Sequence, residues 1–108
     1  MKKDSLGEFE ELVLLTVAAQ HDQAYGVSIK ESLEAELSKR INISAIHVAL
    51  KRMDEKGFVN SRFGGITQDR GGRRKKFYVI TALGKRMLDQ QHDIRTSLYR
   101  KIPKISFE

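Results

Sequence analysis

The stretch 42–57, NISAIHVALKRMDEKG, carries the signals for both ends of a helix. Asn42 or Ser44 suits the N-cap, because a short polar side chain can accept a hydrogen bond from an orphan amide of the first turn. Lys56-Gly57 places a cation in the last turn and a glycine just beyond it. Between these signals Ile46, Ala49, Leu50 and Met53 share one face, and Ser44, His47, Val48, Lys51 and Glu55 share the opposite one. Upstream, 27–39 reads as another helix opened by Gly26. Its inward side is Ile29, Leu33 and Leu37, and its outward side is Glu31, Glu34 and Glu36. Only a few residues separate the two helices, which constrains them to a helix-turn-helix.

The rest of the chain fits around that pair. Residues 6–19 carry Leu6, Phe9, Val13 and Val17 at helical spacing, and Leu12, Leu14, Leu15 and Thr16 widen the stripe. A helix apolar on more than one side sits centrally or also meets a second subunit. Residues 20–24 read as a polar turn. Downstream, 58–63 and 75–80 favour strand by β-branched and aromatic content. The loop between them holds Gly64-Gly65 and Gly71-Gly72 and is too long for a two-residue hairpin, so a mobile tip is expected. Thr81 can cap a fourth helix, 82 to about 101, with Leu83, Met87, Ile94 and Leu98 as its apolar stripe. Pro103 prevents continuation.

The expected fold is mainly α within the α+β class: a winged helix-turn-helix with a two-stranded β wing and an extra C-terminal dimerisation helix. Residues 1–81 form the winged-helix unit, and 82–108 form the dimerisation helix and tail of one compact domain. A length of 108 residues suits one domain, and 40% hydrophobic content supplies its core.

GGRRKKFYVIT, residues 71–81, places four cations at the start of a strand. Like charges in a row repel, so nothing internal favours them. Read alone, the run also fits a solvated strand edge blunted against aggregation. Between Arg62 and Lys76 there are six cations and one anion, Asp69, and the whole chain carries a net charge of +6. An anionic partner follows: nucleic acid first, an anionic membrane surface second. At the tip of a wing, Arg73, Arg74, Lys75 and Lys76 can face phosphates and release condensed counterions. Strand alternation lets at most half of them point the same way.

Four segments resemble the PadR-like transcriptional regulators, over residues 6 to about 88. LGEFEELVLLTVA resembles the first helix of that family. YGVSIKESLEAEL resembles its G-Y-x-I opening, with Val27 in the place of tyrosine. ISAIHVALKRMDEKGFV resembles its recognition segment, and GGRRKKFYVITALGKRML its wing and the entry into the last helix. The last is the most specific, because a generic winged helix does not need T-x-x-G after the wing. Ala45, Ile46, His47 and Val48 stand where the family commonly has Thr, Leu, Tyr and Pro, so sequence preference does not carry over. The resemblance implies a dimer through the first and fourth helices, usually a repressor, in the compact subgroup with a short C-terminus. It also raises the prospect of a flat aromatic effector between subunits, although this chain has no tryptophan.

The expected site is therefore an interface with double-stranded DNA. From the third helix it takes Ser44, His47, Val48 and Lys51, with Val48 suited to a thymine methyl group and Lys51 to a phosphate. Arg52 lies laterally, and Lys30 and Lys39 are lesser candidates for backbone contact. The dimer surface is expected at Leu12 and Leu15 of the first helix and Ile94 and Leu98 of the fourth. Tyr25 and Tyr78 read as packing residues, and Tyr99 and Phe107 as candidates for an interface or ligand pocket. A pseudo-palindromic operator follows from a symmetric dimer.

Other chemistry is not indicated. His21, His47 and His92 have no metal-binding spacing, and the Gly-Gly pairs are not followed by a P-loop G-K-[ST]. No cofactor and no catalysis are expected. The absence of cysteine rules out disulfides and thiolate metal sites and fits a cytoplasmic setting. Glu8, Glu10 and Glu11 interrupt the only candidate leader, and no run approaches the ~18 apolar residues of a membrane span. The rival readings are an effector-sensing dimer and a winged helix that binds only proteins. The cationic wing argues against the latter.

Overall fold

The computed structural model describes residues 5–66 and 74–105. Its elements are α1 (Glu8–Gln20), a 3₁₀ turn (His21–Gln23), β1 (Ala24–Tyr25), α2 (Gly26–Leu37), α3 (Ile43–Glu55), β2 (Val59–Ile66), β3 (Arg74–Ile80) and α4 (Ala82–Arg100). Four helices and a small antiparallel sheet make the expected winged helix-turn-helix with its C-terminal helix.

The core lies where α1, α2 and α3 meet the sheet. Val13, Leu14 and Val17 of α1, Ile29 and Leu33 of α2, and Ile46, Ala49, Leu50 and Met53 of α3 are buried, together with Phe58, Val59, Tyr78 and Leu88. Leu14 is as fully enclosed as Val13 and Val17, whereas Leu15 is 47% exposed. The surplus apolar surface of α1 therefore narrows to Leu15 and the half-buried Leu12.

Local chemistry fixes the helix-turn-helix. The left-handed backbone of Ser38 (φ 55°) ends α2. Glu34, expected to face outward, turns back instead. Its carboxylate accepts the Ile41 N–H at 2.8 Å and pairs with Lys30 at 3.0 Å, and both contacts lower its pKa. Asn42 caps α3 by accepting the Ser44 N–H at 2.8 Å. At the other end Gly57 has φ 84°, its N–H bonds the Asp54 carbonyl, and the Phe58 N–H bonds the Met53 carbonyl. These two bonds form a Schellman motif, which needs the glycine.

The polar turn expected over residues 20–24 is instead a 3₁₀ turn running into a strand. β1 pairs with β3 (Ala24 opposite Tyr78, Tyr25 opposite Phe77), giving the sheet order β1-β3-β2. The sheet thus has one strand more than the two-stranded wing. A two-residue strand has no local signature, because its only partner lies over fifty residues away. β2 also runs further than 58–63: Gly64, Gly65 and Ile66 belong to it, and Phe58 precedes it as a core residue. A register shift separates the pair Phe63–Lys76 from the pair Ile66–Arg74. Gly64 sits in this irregularity because a Cβ there would lie 2.6 Å from the Phe77 ring. The expected mobile tip, with Gly71-Gly72, lies outside the described residues.

The entry into α4 explains the T-x-x-G motif. The Thr81 hydroxyl donates to the Gly57 carbonyl at 2.6 Å and accepts the Gly84 N–H at 3.0 Å, while the Thr81 N–H bonds the Phe58 carbonyl. A Cβ on Gly84 would overlap that same Phe58 oxygen. Beyond this joint only Leu88 of α4 is buried among its large apolar residues. Ile94 and Leu98 are 59% and 60% exposed. Arg95 and Gln91 both donate to the Glu11 carboxylate, at 3.0 and 2.9 Å, and tie α4 to α1. Among the described residues no helix is long and apolar enough to cross a membrane.

Candidate nucleic-acid interface

Burial of Ile46, Ala49, Leu50 and Met53 dictates what α3 shows to its surroundings. Ser44, His47, Val48 and Lys51 are all exposed, as the helical period requires. They do not face identical environments. Val48 borders a groove of about 520 Å³ between α3 and the start of α1, with Phe9, Ala45, Ala49 and Arg52 among its walls. Arg52 thus lies on this lateral side, close enough to help lower the pKa of Glu10.

His47 turns the other way. Its imidazole lies over Gly26 at the start of α2, and a Cβ on Gly26 would stand 2.8 Å from His47 Cε1. There it helps line a cleft of about 310 Å³ with Tyr25, Gly26, Val27, Lys75, Lys76 and Tyr78. The sequence gives no hint of this meeting. It depends on the crossing of α2 over α3, which no local pattern encodes. The same is true of Tyr25 and Val27, which enter the site only through the fold. Tyr78 is buried at the base of the cleft, where burial and the Asp54 charge push its hydroxyl pKa up.

The wing strand contributes cations held against aromatic rings. Lys75 Nζ lies 4.3 Å from the centre of the Tyr25 ring. Tyr25 packs edge-on against Phe77 at 5.7 Å, and the Arg62 guanidinium stands 5.2 Å above Phe77. Arg62 also donates to the Asp22 carbonyl. Cations so placed keep their charge available while their positions are restricted. Lys76 lies on the other side of β3, near the Phe63 and Tyr78 rings. Alternation thus separates Lys75 from Lys76 along the strand, yet both border the same cleft because β1 ends at Tyr25 and leaves that edge of β3 open. Among the described residues Lys75, Lys76, Lys51 and His47 take part in no ion pair. Lys30 is engaged by Glu34, which argues against a free role for it. Arg73 and the side chain of Arg74 lie outside the described residues.

Solved structures share this fold. A PadR family transcription regulator from Clostridium difficile R20291 superimposes with a TM-score of 0.68 at 25% identity, over 85% of this chain and 92% of its own. The smu.1704 protein of Streptococcus mutans UA159 gives 0.67 at 25% identity, over 92% and 91%. A PadR-like transcription factor from Bacteroides fragilis gives 0.71 over 87% and 85%, at an identity of 19% that speaks for the fold alone. No protein with a curated description matches the chain. The profile of the "Transcriptional regulator PadR-like family" matches residues 14–90, from the core of α1 through the helix-turn-helix and wing into α4. The family is not enzymatic, and regulation of transcription implies binding to DNA. The chain belongs to the PadR-like family of transcriptional regulators.

Proposed function

We propose that the protein is a homodimeric repressor that binds a pseudo-palindromic operator, with α3 in the major groove and the wing on the neighbouring backbone. The observation that carries this reading is the exposed face of α3 beside Lys75 and Lys76, cations without carboxylate partners among the described residues. Ser44 and Val48 suit base edges, Lys51 a phosphate. Arg73 and Arg74 extend the wing's contact with the backbone. Leu12 and Leu15 of α1 with Ile94 and Leu98 of α4 supply the dimer surface, and Tyr99, 76% exposed, extends it.

The test is selection of duplexes from a random pool, followed by titration of single-base variants at one fixed salt concentration. Val48→Ala should reorder those variants, by about 1–3 kcal/mol at one position per half-site. Lys51→Ala should weaken all of them about equally and make the slope of log K against log salt shallower by ~0.9. A pool with no enriched sequence would overturn the reading.

A second reading is effector control. A groove of about 490 Å³ beside Leu12 and Leu15 has Phe9 and Leu37 as further apolar walls and Arg95 at its rim. It borders the proposed dimer surface, so an apolar ligand there would act on the spacing of the two subunits.

A further inference from the structure

We infer that the cleft between α2, α3 and β3 is a clamp for one DNA backbone phosphate, and that His47 serves this clamp and does not read a base. The inference rests on the DNA-binding reading and assigns a position within it. Three features carry it. First, the imidazole lies over Gly26 at the start of α2, where an added Cβ would stand 2.8 Å from His47 Cε1. A side chain so placed points away from Val48 and the groove at the start of α1, and toward the wing. Second, the wing sends two lysines to the same cleft, one of them fixed 4.3 Å above the Tyr25 ring that precedes α2. Third, among the described residues no carboxylate is a wall of the cleft; those walls are Tyr25, Gly26, Val27, His47, Lys75, Lys76 and Tyr78.

The α3 imidazole and the two β3 lysines thus border one space that has no carboxylate among its described walls, the Asp54 charge being felt there at the Tyr78 hydroxyl. A phosphodiester supplies what is missing: a single negative charge and two acceptor oxygens. Charge-assisted bonds to such a group are short and about twice as strong as neutral ones. Such a contact sets the register of the protein on the duplex and carries no base identity.

The experiment uses a duplex selected by the wild-type protein, remade with a neutral methylphosphonate at each linkage in turn. Wild type should lose roughly tenfold in affinity at one linkage per half-site that His47, Lys75 and Lys76 share. His47→Ala and the double variant Lys75→Ala/Lys76→Ala should each be less sensitive than wild type to the neutral linkage at that same position, with the ranking of single-base variants preserved. Gly26→Ala should reproduce the loss by displacing the imidazole, and should have no further effect when combined with His47→Ala. Sensitivity falling at different linkages for the histidine and the lysines, or unchanged in either variant, would overturn the inference, as would a reordered base ranking in His47→Ala. Thermal stabilisation by inorganic phosphate at matched ionic strength, lost in His47→Ala, would reassign the cleft to a small phosphorylated ligand and also overturn it. If the wild-type protein selects no duplex, the DNA-binding reading itself fails, which is a separate result.

Discussion

A methyl group on Gly84 would have to share space with the Phe58 carbonyl oxygen and come within 2.9 Å of Ile80 Cγ1. The carbonyl is held by the Thr81 N–H and cannot move aside without breaking that bond. Gly84→Ala should therefore cost at least about 2 kcal/mol in chemical denaturation, even though alanine is the better helix former. A neutral or stabilising outcome would mean that α4 can shift on the wing base. At this scale the sequence is partly legible. The T-x-x-G spacing is visible, and Thr81 is a recognisable cap. The reason for the glycine is not visible, because it is a contact across 26 residues. His47 is the sharper case. Helical periodicity correctly places it on the exposed face of α3, but exposure does not say which neighbour the ring rests on. Its seat on Gly26 comes from a helix crossing.

Among the elements, the start of α1 and the end of α3 are joined by a partly buried ionic contact. Glu10 accepts the Gly7 N–H at 3.1 Å and pairs with Lys56 at 2.9 Å, and Lys56 also donates to the Ser5 carbonyl. Burial alone would raise the Glu10 pKa, but the Gly7 amide and the Lys56 ammonium outweigh it, with Arg52 helping, and the net shift is downward. A carboxylate whose folded-state pKa is depressed stabilises the fold fully above its ordinary value of 4.5. That contribution is lost as the pH falls through the lower, folded-state value. Glu10→Gln should cost about 1–2 kcal/mol at neutral pH. The gap to wild type should close as the solution is acidified below 4.5. A gap independent of pH would place the cost in packing and not in charge. The elements themselves are the most legible level. Apolar spacing delimits all four helices to within about two residues, since each buries one stripe against one core. The two-residue β1 is not legible, and neither is the inward turn of Glu34, which serves a backbone amide seven residues ahead.

For the whole molecule, α4 is the element that its own chain leaves uncovered. Its 19 residues span about 28 Å, and past Leu88 the large apolar side chains Ile94, Leu98 and Tyr99 are all exposed. Leu98→Glu combined with Ile94→Glu should lower the mass measured by light scattering to that of one chain. It should also abolish tight binding to a two-site duplex, since linked half-sites gain affinity from each other. A wild-type chain that is monomeric at micromolar concentration would exclude the dimer. The joint at Thr81 and Gly84 gives such a dimer a mechanical character. Because α4 meets the wing base through a bonded carbonyl and a glycine with no room for a side chain, the outer helix is coupled to the base of the wing at this joint. In the proposed dimer, a change of angle between the two subunits would then be carried to the base of each wing, and release would need no movement inside α3.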